Sequence, residues 1–205
     1  GYTCGMRAIG VFVAILFVAL GGMAVINRIF MPREATMHDI STSTATRMTN
    51  STLTLTSSAF ENGSSIPALH TCDGEQVSPP LKIGGIPGIA KSMALIAEDP
   101  DVPKELKSDG LYVHWVLFNI PVATVSIPQG GAAGIAGVNG AGKVGYAAPC
   151  PPPQYEPSEH RYFFHLYALD TMLDLPAGSS RDQVLKAMEG HVIDATQLMG
   201  TYKRR

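Results

Sequence analysis

The chain has 205 residues, a formal net charge of −2 and only 16% charged residues, with 21 glycines and 15 prolines. That length allows one ordinary domain with a sizeable core, plus appendages. The balanced charge excludes the basic footprint of a nucleic-acid-binding protein, and the glycine and proline content favours turns and strands over long helices.

Residues 8–26 (AIGVFVAILFVALGGMAVI) carry no charge. The run is close to the ~20 apolar residues of a membrane-spanning helix and longer than the roughly 7–15 of a signal-peptide core. Residues 1–27 are therefore expected to be a hydrophobic membrane anchor outside the folded domain. The alternative is a signal cleaved near Gly22-Met23-Ala24, giving a secreted form. Arg7 precedes the run and Arg28 and Arg33 follow it, so flanking charge does not orient it. Residues 28–52 follow as a linker rich in Ser and Thr, too poor in apolar side chains to offset chain entropy.

The domain is expected over 53–205. Leu53-Thr54-Leu55-Thr56 alternates with period two and predicts the first strand. Residues 92–97 form a short apolar run fit for a buried strand. Residues 111–120 (LYVHWVLFNI) and 161–169 (RYFFHLYAL) are rich in aromatic and β-branched residues, the latter with Tyr162, Phe164, Leu166 and Ala168 on one face. Pro-Gly clusters and the glycine-rich stretch 130–145 punctuate them. Ser180 and Gln183 fit a capping box. Val184, Met188, Val192, Ala195 and Met199 then recur at helical spacing, which predicts a C-terminal helix near 180–199 stopped by Gly200. The class is mainly β: a sandwich with a few peripheral helices.

Two nucleotide-binding patterns fail on context. Gly140-Ala141-Gly142-Lys143-Val144-Gly145 spells G-x-G-x-x-G, and residues 137–143 spell G-x-x-x-x-G-K. Val144 stands where magnesium needs Ser or Thr. Both patterns also need a helix starting at the glycines, which Pro149, Pro151, Pro152 and Pro153 forbid. A surface loop is the expectation.

Chemistry-bearing residues gather at strand ends. Asp99 and Asp101 sit in the stiff segment Glu98-Asp99-Pro100-Asp101-Val102-Pro103. His114 lies within the next long strand, on a face with Tyr112, Val116 and Phe118, and His160 stands just before the last aromatic one. A lone His114 reads as a satisfied core histidine; beside a rigid diacid and a second histidine it reads as part of a site.

Cys72-Asp73-Gly74, Ser78-Pro79-Pro80-Leu81, Asp99-Pro100-Asp101-Val102-Pro103, His114-Trp115, Asn119-Ile120-Pro121, Cys150-Pro151-Pro152, His160-Arg161-Tyr162 and Gly200-Thr201-Tyr202 occur in that order. By these residues the chain from about Leu53 onward resembles the phosphatidylethanolamine-binding protein family, in its bacterial Raf-kinase-inhibitor-like branch. The resemblance implies a β-sandwich with a small pocket for phosphate-like anions, formed here by Asp99, Asp101, His114, Pro151, His160 and Tyr162. The implied partners are a phosphate-like anion or phospholipid headgroup, a kinase or protease that is inhibited, and the membrane through the N-terminal segment. No nucleic acid is implied. Departures include Ala147 and Ala148 where the family has glycines, Ile83 where tryptophan is common and His70 where tyrosine is.

In this reading the two carboxylates accept ring N–H bonds from the pocket histidines, fix their tautomers and raise their pKa values. Either X-Pro bond of the 98–103 segment is a candidate for the cis isomer. Cys72 and Cys150, both in segments bordering the pocket, are expected to pair as a disulfide in a domain outside the cytoplasm. A zinc set of His70, Cys72, Cys150 and His160 is set aside for want of paired-ligand spacing, so no metal or cofactor is expected. A non-enzymatic binding module is the leading expectation. The alternative is a hydrolase using the pocket His and Asp residues as acid and base.

Overall fold

Period-two alternation builds the first strand. In the computed structural model, which describes residues 52–204, Leu53 and Leu55 are buried while Thr54 and Thr56 are exposed. Strand β1 (Thr54–Thr56) thus turns its leucine face inward. It pairs with β2 (Leu81–Gly84), and β2 with β5 (Ser126–Ile127), in an antiparallel three-stranded sheet. The larger sheet has the order β6 (Ile135–Ala136), β4 (Tyr112–Ile120), β3 (Ser92–Asp99), β7 (Glu159–Leu169), β8 (Val192–Lys203), also antiparallel throughout. The expected anchor over 1–27 and nearly all of the linker lie outside the described residues. Among the described residues, no helix is long and apolar enough to cross a membrane.

The unbroken apolar run at 92–97 is explained by coverage on both faces. Met93, Leu95 and Ala97 enter the core between the sheets with Leu55, Ile83, Phe164 and Leu166. Ala94 and Ile96 point the other way, into a second core with Phe118, Val184 and Met188. Each fully buried Leu, Ile or Phe contributes ~1.5–3 kcal/mol, so both faces of β3 are held by apolar burial. On β7 the expected face of Tyr162, Phe164, Leu166 and Ala168 does line the inter-sheet core.

Helix α1 (Arg181–Met188) covers the second core. It starts at the capping box: Gln183 N donates to Ser180 Oγ at 3.3 Å, and Ser180 N donates to Gln183 Oε1 at 2.8 Å. Arg181 Nε donates to Glu98 Oε2 at 2.6 Å and pins the helix to β3. The helix is shorter than its periodicity predicts. Gly190, with φ +79°, turns the chain just beyond the C-cap. Val192, Ala195 and Met199 lie on β8 instead, in register with β7 from Leu169↔Val192 to Glu159↔Lys203. Val192, Ile193, Thr196 and Thr201 are β-branched, and long antiparallel pairing with β7 outweighs a local helical spacing. Among the described residues α1 is the single α-helix, accompanied by one 3-10 turn at Ala68–His70.

The glycine-rich stretch is an exposed loop over 140–144, as expected, but its first half packs against the sheet. Ile135 and Ala136 pair with Phe118 and Leu117. A Cβ on Gly137 would lie 2.3 Å from the Ser179 carbonyl oxygen, and one on Gly140 would lie 2.8 Å from the Tyr112 ring. These glycines let the backbone run against the edge of β4.

Candidate functional site

Antiparallel pairing assembles the site. Because β3 runs against both β4 and β7, its C-terminal end meets their N-terminal ends. Asp99 lies opposite Tyr112, and Glu98 opposite Phe163. Asp99, His114, His160 and Tyr162, drawn from three strands, come together at this end of the larger sheet.

A bulge decides where His114 points. From Ala97↔Trp115 to Glu98↔Val113, β3 advances one residue and β4 two, which leaves His114 as the extra residue. The alternation of β4 therefore shifts by one. Val113, Val116 and Phe118 belong to the second core. His114 turns instead to the side of Tyr162, with ring centroids 5.1 Å apart and edge-to-face, and Tyr112 packs 4.8 Å away. The expected shared face with Val116 and Phe118 is thus corrected: without the bulge, His114 would point under α1.

The two carboxylates have different partners. Asp99 Oδ2 lies 2.7 Å from His160 Nδ1 in a buried pair, and Asp99 Oδ1 accepts from Asp101 N at 2.8 Å. Asp101 holds no imidazole. Its Oδ2 accepts from Arg161 N at 2.9 Å and Nε at 2.8 Å, and its Oδ1 accepts from Nη2 at 2.7 Å. Arg161 is the residue after His160, so its side chain leaves the strand on the opposite face. The expectation that both carboxylates support pocket histidines holds in geometry for Asp99 alone. Neither X-Pro bond of this segment is cis; among the described residues the cis bond is Glu156–Pro157.

His114 is held by main chain. Its Nδ1 lies 2.7 Å from the Ala147 carbonyl oxygen, and Ala147 N donates to the His114 carbonyl at 2.7 Å. A carbonyl only accepts, so Nδ1 carries the proton and Nε2 is the free edge. The segment bearing Ala147 is tied down on both sides. Tyr146 Oη donates to the His70 carbonyl at 3.0 Å, and Cys72 N donates to the Pro149 carbonyl at 3.0 Å. Cys72 and Cys150 are bonded in the structure, with Cα atoms 5.3 Å apart. Pro151 follows as a buried residue.

Burial dominates the electrostatics. It pushes the His114 imidazole down to about 4, opposed by the Ala147 bond and assisted by His160. This reverses the expected rise, because the ring is bonded to a carbonyl instead of a carboxylate and desolvation disfavours its cation. Burial also raises the Asp99 carboxyl above its ordinary value, despite the bonds from His160 and the Asp101 amide. The Arg161 hydrogen bonds hold Asp101 low. Burial, and next the charge of Asp99, push the Tyr162 hydroxyl far up, so it stays a neutral donor.

Three buried polar atoms have no hydrogen-bond partner among the described residues: His114 Nε2, His160 Nε2 and Tyr162 Oη. Their residues are 5%, 1% and 2% exposed. The His160 and Tyr162 rings stack with centroids 6.5 Å apart, so the three belong to one aromatic cluster. An unpaired buried polar group costs about 1–3 kcal/mol, and native chains rarely leave one unexplained. A shallow groove elsewhere, lined by Thr56, Leu81, Lys82, Val125 and Pro128, holds none of these atoms.

Three features of the site carry no signal in the sequence. Ala147 acts through its backbone and offers no side-chain chemistry. Arg161 is adjacent to His160, yet its pairing with Asp101 depends on two strands meeting. The bulge at His114 has no glycine to mark it.

Comparison with known proteins agrees with this fold. Residues 56–203 match the family model described as phosphatidylethanolamine-binding protein. A UPF0098 protein of Chlamydia muridarum is 44% identical over 151 residues, covering 73% of this chain and 98% of the relative. One from Methanothermobacter thermautotrophicus is 46% identical over 159 residues, covering 74% and 99%. A crystal structure of a phosphatidylethanolamine-binding protein homologue from Chlamydia trachomatis superposes with a TM-score of 0.72 at 41% identity, covering 76% of this chain and 100% of that one. YbcL of Escherichia coli, described as a member of the mammalian family, gives 0.67 at 25% identity, covering 75% and 99%. The chain belongs to the phosphatidylethanolamine-binding protein family.

Proposed function

We propose that the domain is a binding module that captures a small phosphate-like oxyanion at the ends of β3, β4 and β7, and that it does so without turning it over. One observation carries this reading: three unpartnered buried polar atoms sit on rings that belong to one cluster at the strand ends. A ligand that hydrogen-bonds to them relieves a desolvation cost the fold otherwise bears. Tyr162 supplies a hydroxyl donor. His160, fixed through Nδ1 by Asp99, turns Nε2 into a donor whenever its ring takes up a second proton, and Asp99 then balances the charge. Membership in a ligand-binding family supports the same reading.

The hydrolase alternative has the Asp99–His160 pair in its favour, since a carboxylate-oriented imidazole is a general base in waiting. Against it, among the described residues no serine, threonine or cysteine is bonded to His160 Nε2 as a nucleophile would be. Isothermal titration of the full chain in detergent with inorganic phosphate is the test. Saturable binding, weakened at least about tenfold by His160→Gln, is expected. No binding at millimolar phosphate would sink the reading. Turnover of a phosphoester, ester or peptide that His160→Gln abolishes would replace it with the hydrolase.

A further inference from the structure

The free edge of His114 is not the donor that an anion site ordinarily presents. Nδ1 faces the Ala147 carbonyl and must carry the ring proton. The groups around the ring add no compensating negative charge: Tyr112 and Tyr162 are neutral hydroxyls, His160 contributes an imidazole, Asp99 is engaged with His160 and Asp101 with Arg161. A buried imidazole without a counter-charge stays neutral, in keeping with its depressed titration at about 4. Nε2 then bears a lone pair and accepts.

We propose that His114 Nε2 is a hydrogen-bond acceptor that makes the site select oxyanions carrying an O–H, and reject those without one. The inference rests on the anion-binding reading and refines it. Inorganic phosphate, and a phosphomonoester in its monoanionic form, present a P–OH to Nε2 while another of their oxygens accepts from Tyr162 Oη. Sulfate has no O–H at neutral pH. A phosphodiester, the chemistry of a lipid headgroup, has none on its phosphate. Either would set lone pair against lone pair at a buried atom, and a site built to hydrogen-bond a ligand O–H discriminates strongly against analogues that lack it. Charge alone predicts otherwise, because the sulfate dianion is at least as negative as phosphate.

The experiment titrates the full chain in non-ionic detergent at pH 7 with inorganic phosphate, sulfate and dimethyl phosphate. Phosphate is expected to bind at least about tenfold more tightly than the other two. In nitrogen-15 spectra, His114 should show a protonated Nδ1 and a bare Nε2, and phosphate should shift Nε2. His114→Gln, whose amide can donate, should bring sulfate to within about twofold of phosphate. The spectra keep the test decisive if that variant fails to fold. Sulfate or dimethyl phosphate equal to phosphate, or a protonated Nε2, would overturn the inference and leave the anion site standing. Failure of all three probes to bind would overturn both.

Discussion

Substituting Asp99→Asn isolates the contribution of one charge to the site. Asp99 accepts two hydrogen bonds, from His160 Nδ1 at 2.7 Å and from Asp101 N at 2.8 Å. An amide of the same shape offers one acceptor oxygen and one NH2 group. The Asp101 N–H is fixed by the backbone and keeps the oxygen. The NH2 group then faces His160, whose ring proton must move to Nε2. His160 becomes a neutral donor without a counter-ion for its cation. A hydrogen bond to a charged group contributes ~1.5–3 kcal/mol and a neutral one ~0.5–1.5, so the loss is about 1–2 kcal/mol. At 1.4 kcal/mol per factor of ten, phosphate affinity should fall roughly 5- to 30-fold.

Stability should respond differently. Burial holds the Asp99 carboxyl above its ordinary 3.8. Its contribution to folding is therefore most favourable below that value and declines as pH rises through the folded-state value. Removing the charge relieves this penalty at neutral pH and offsets the lost bond, so the unfolding free energy at pH 7 should change by less than about 1 kcal/mol. Calorimetric titration gives the affinity, denaturant unfolding the stability, and nitrogen-15 shifts of His160 the tautomer. An unchanged tautomer together with unchanged phosphate affinity would refute the argument and reduce Asp99 to a turn residue.

Asp101→Asn should separate the two carboxylates. It should leave phosphate affinity within about twofold, because Asp101 binds Arg161 and no imidazole. Arg161 is 54% exposed at its side chain and Asp101 13%, so solvent screening limits the cost at pH 7 to about 1 kcal/mol. The Asp101 carboxyl is held low by those bonds, so its stabilisation is present above the ordinary 3.8 and lost as pH falls through the folded-state value. Wild type and variant should converge in denaturant unfolding toward pH 2, and a gap that widens on acidification would contradict this. Cys72 and Cys150 lie 78 residues apart in sequence, and replacing both with serine should cost about 2–5 kcal/mol in unfolding experiments. Thiol labelling that finds both free in the folded chain isolated from cells would speak against a domain held in an oxidising compartment.

Much of this protein is legible from local chemistry alone. Leucine–threonine alternation marks β1, alternating aromatics mark the buried face of β7, and Ser180 and Gln183 mark the start of α1, because each signal depends only on neighbours within a few residues. Whereas Tyr162 enters only through the family resemblance, Asp99, Asp101, His114 and His160 are identifiable as candidates because reactive side chains stand out where apolar strands end. The partners of those side chains are not. The carbonyl holding His114 is 33 residues away, and the carboxylate holding Arg161 is 60 away. Only pairing of β3 with β4 and β7, together with the packing of 146–150, brings them within hydrogen-bonding distance. The bulge that turns His114 toward Tyr162 is a property of strand register, which no single strand contains. The fate of 192–203 has the same origin. Its apolar spacing suits a helix, but β7 offers it a long antiparallel ladder, interrupted only by a register shift at Ile193. Burial, finally, sets the protonation of His114. Desolvation depends on everything packed around the ring, so the sequence names the imidazole, and the tertiary structure makes it an acceptor.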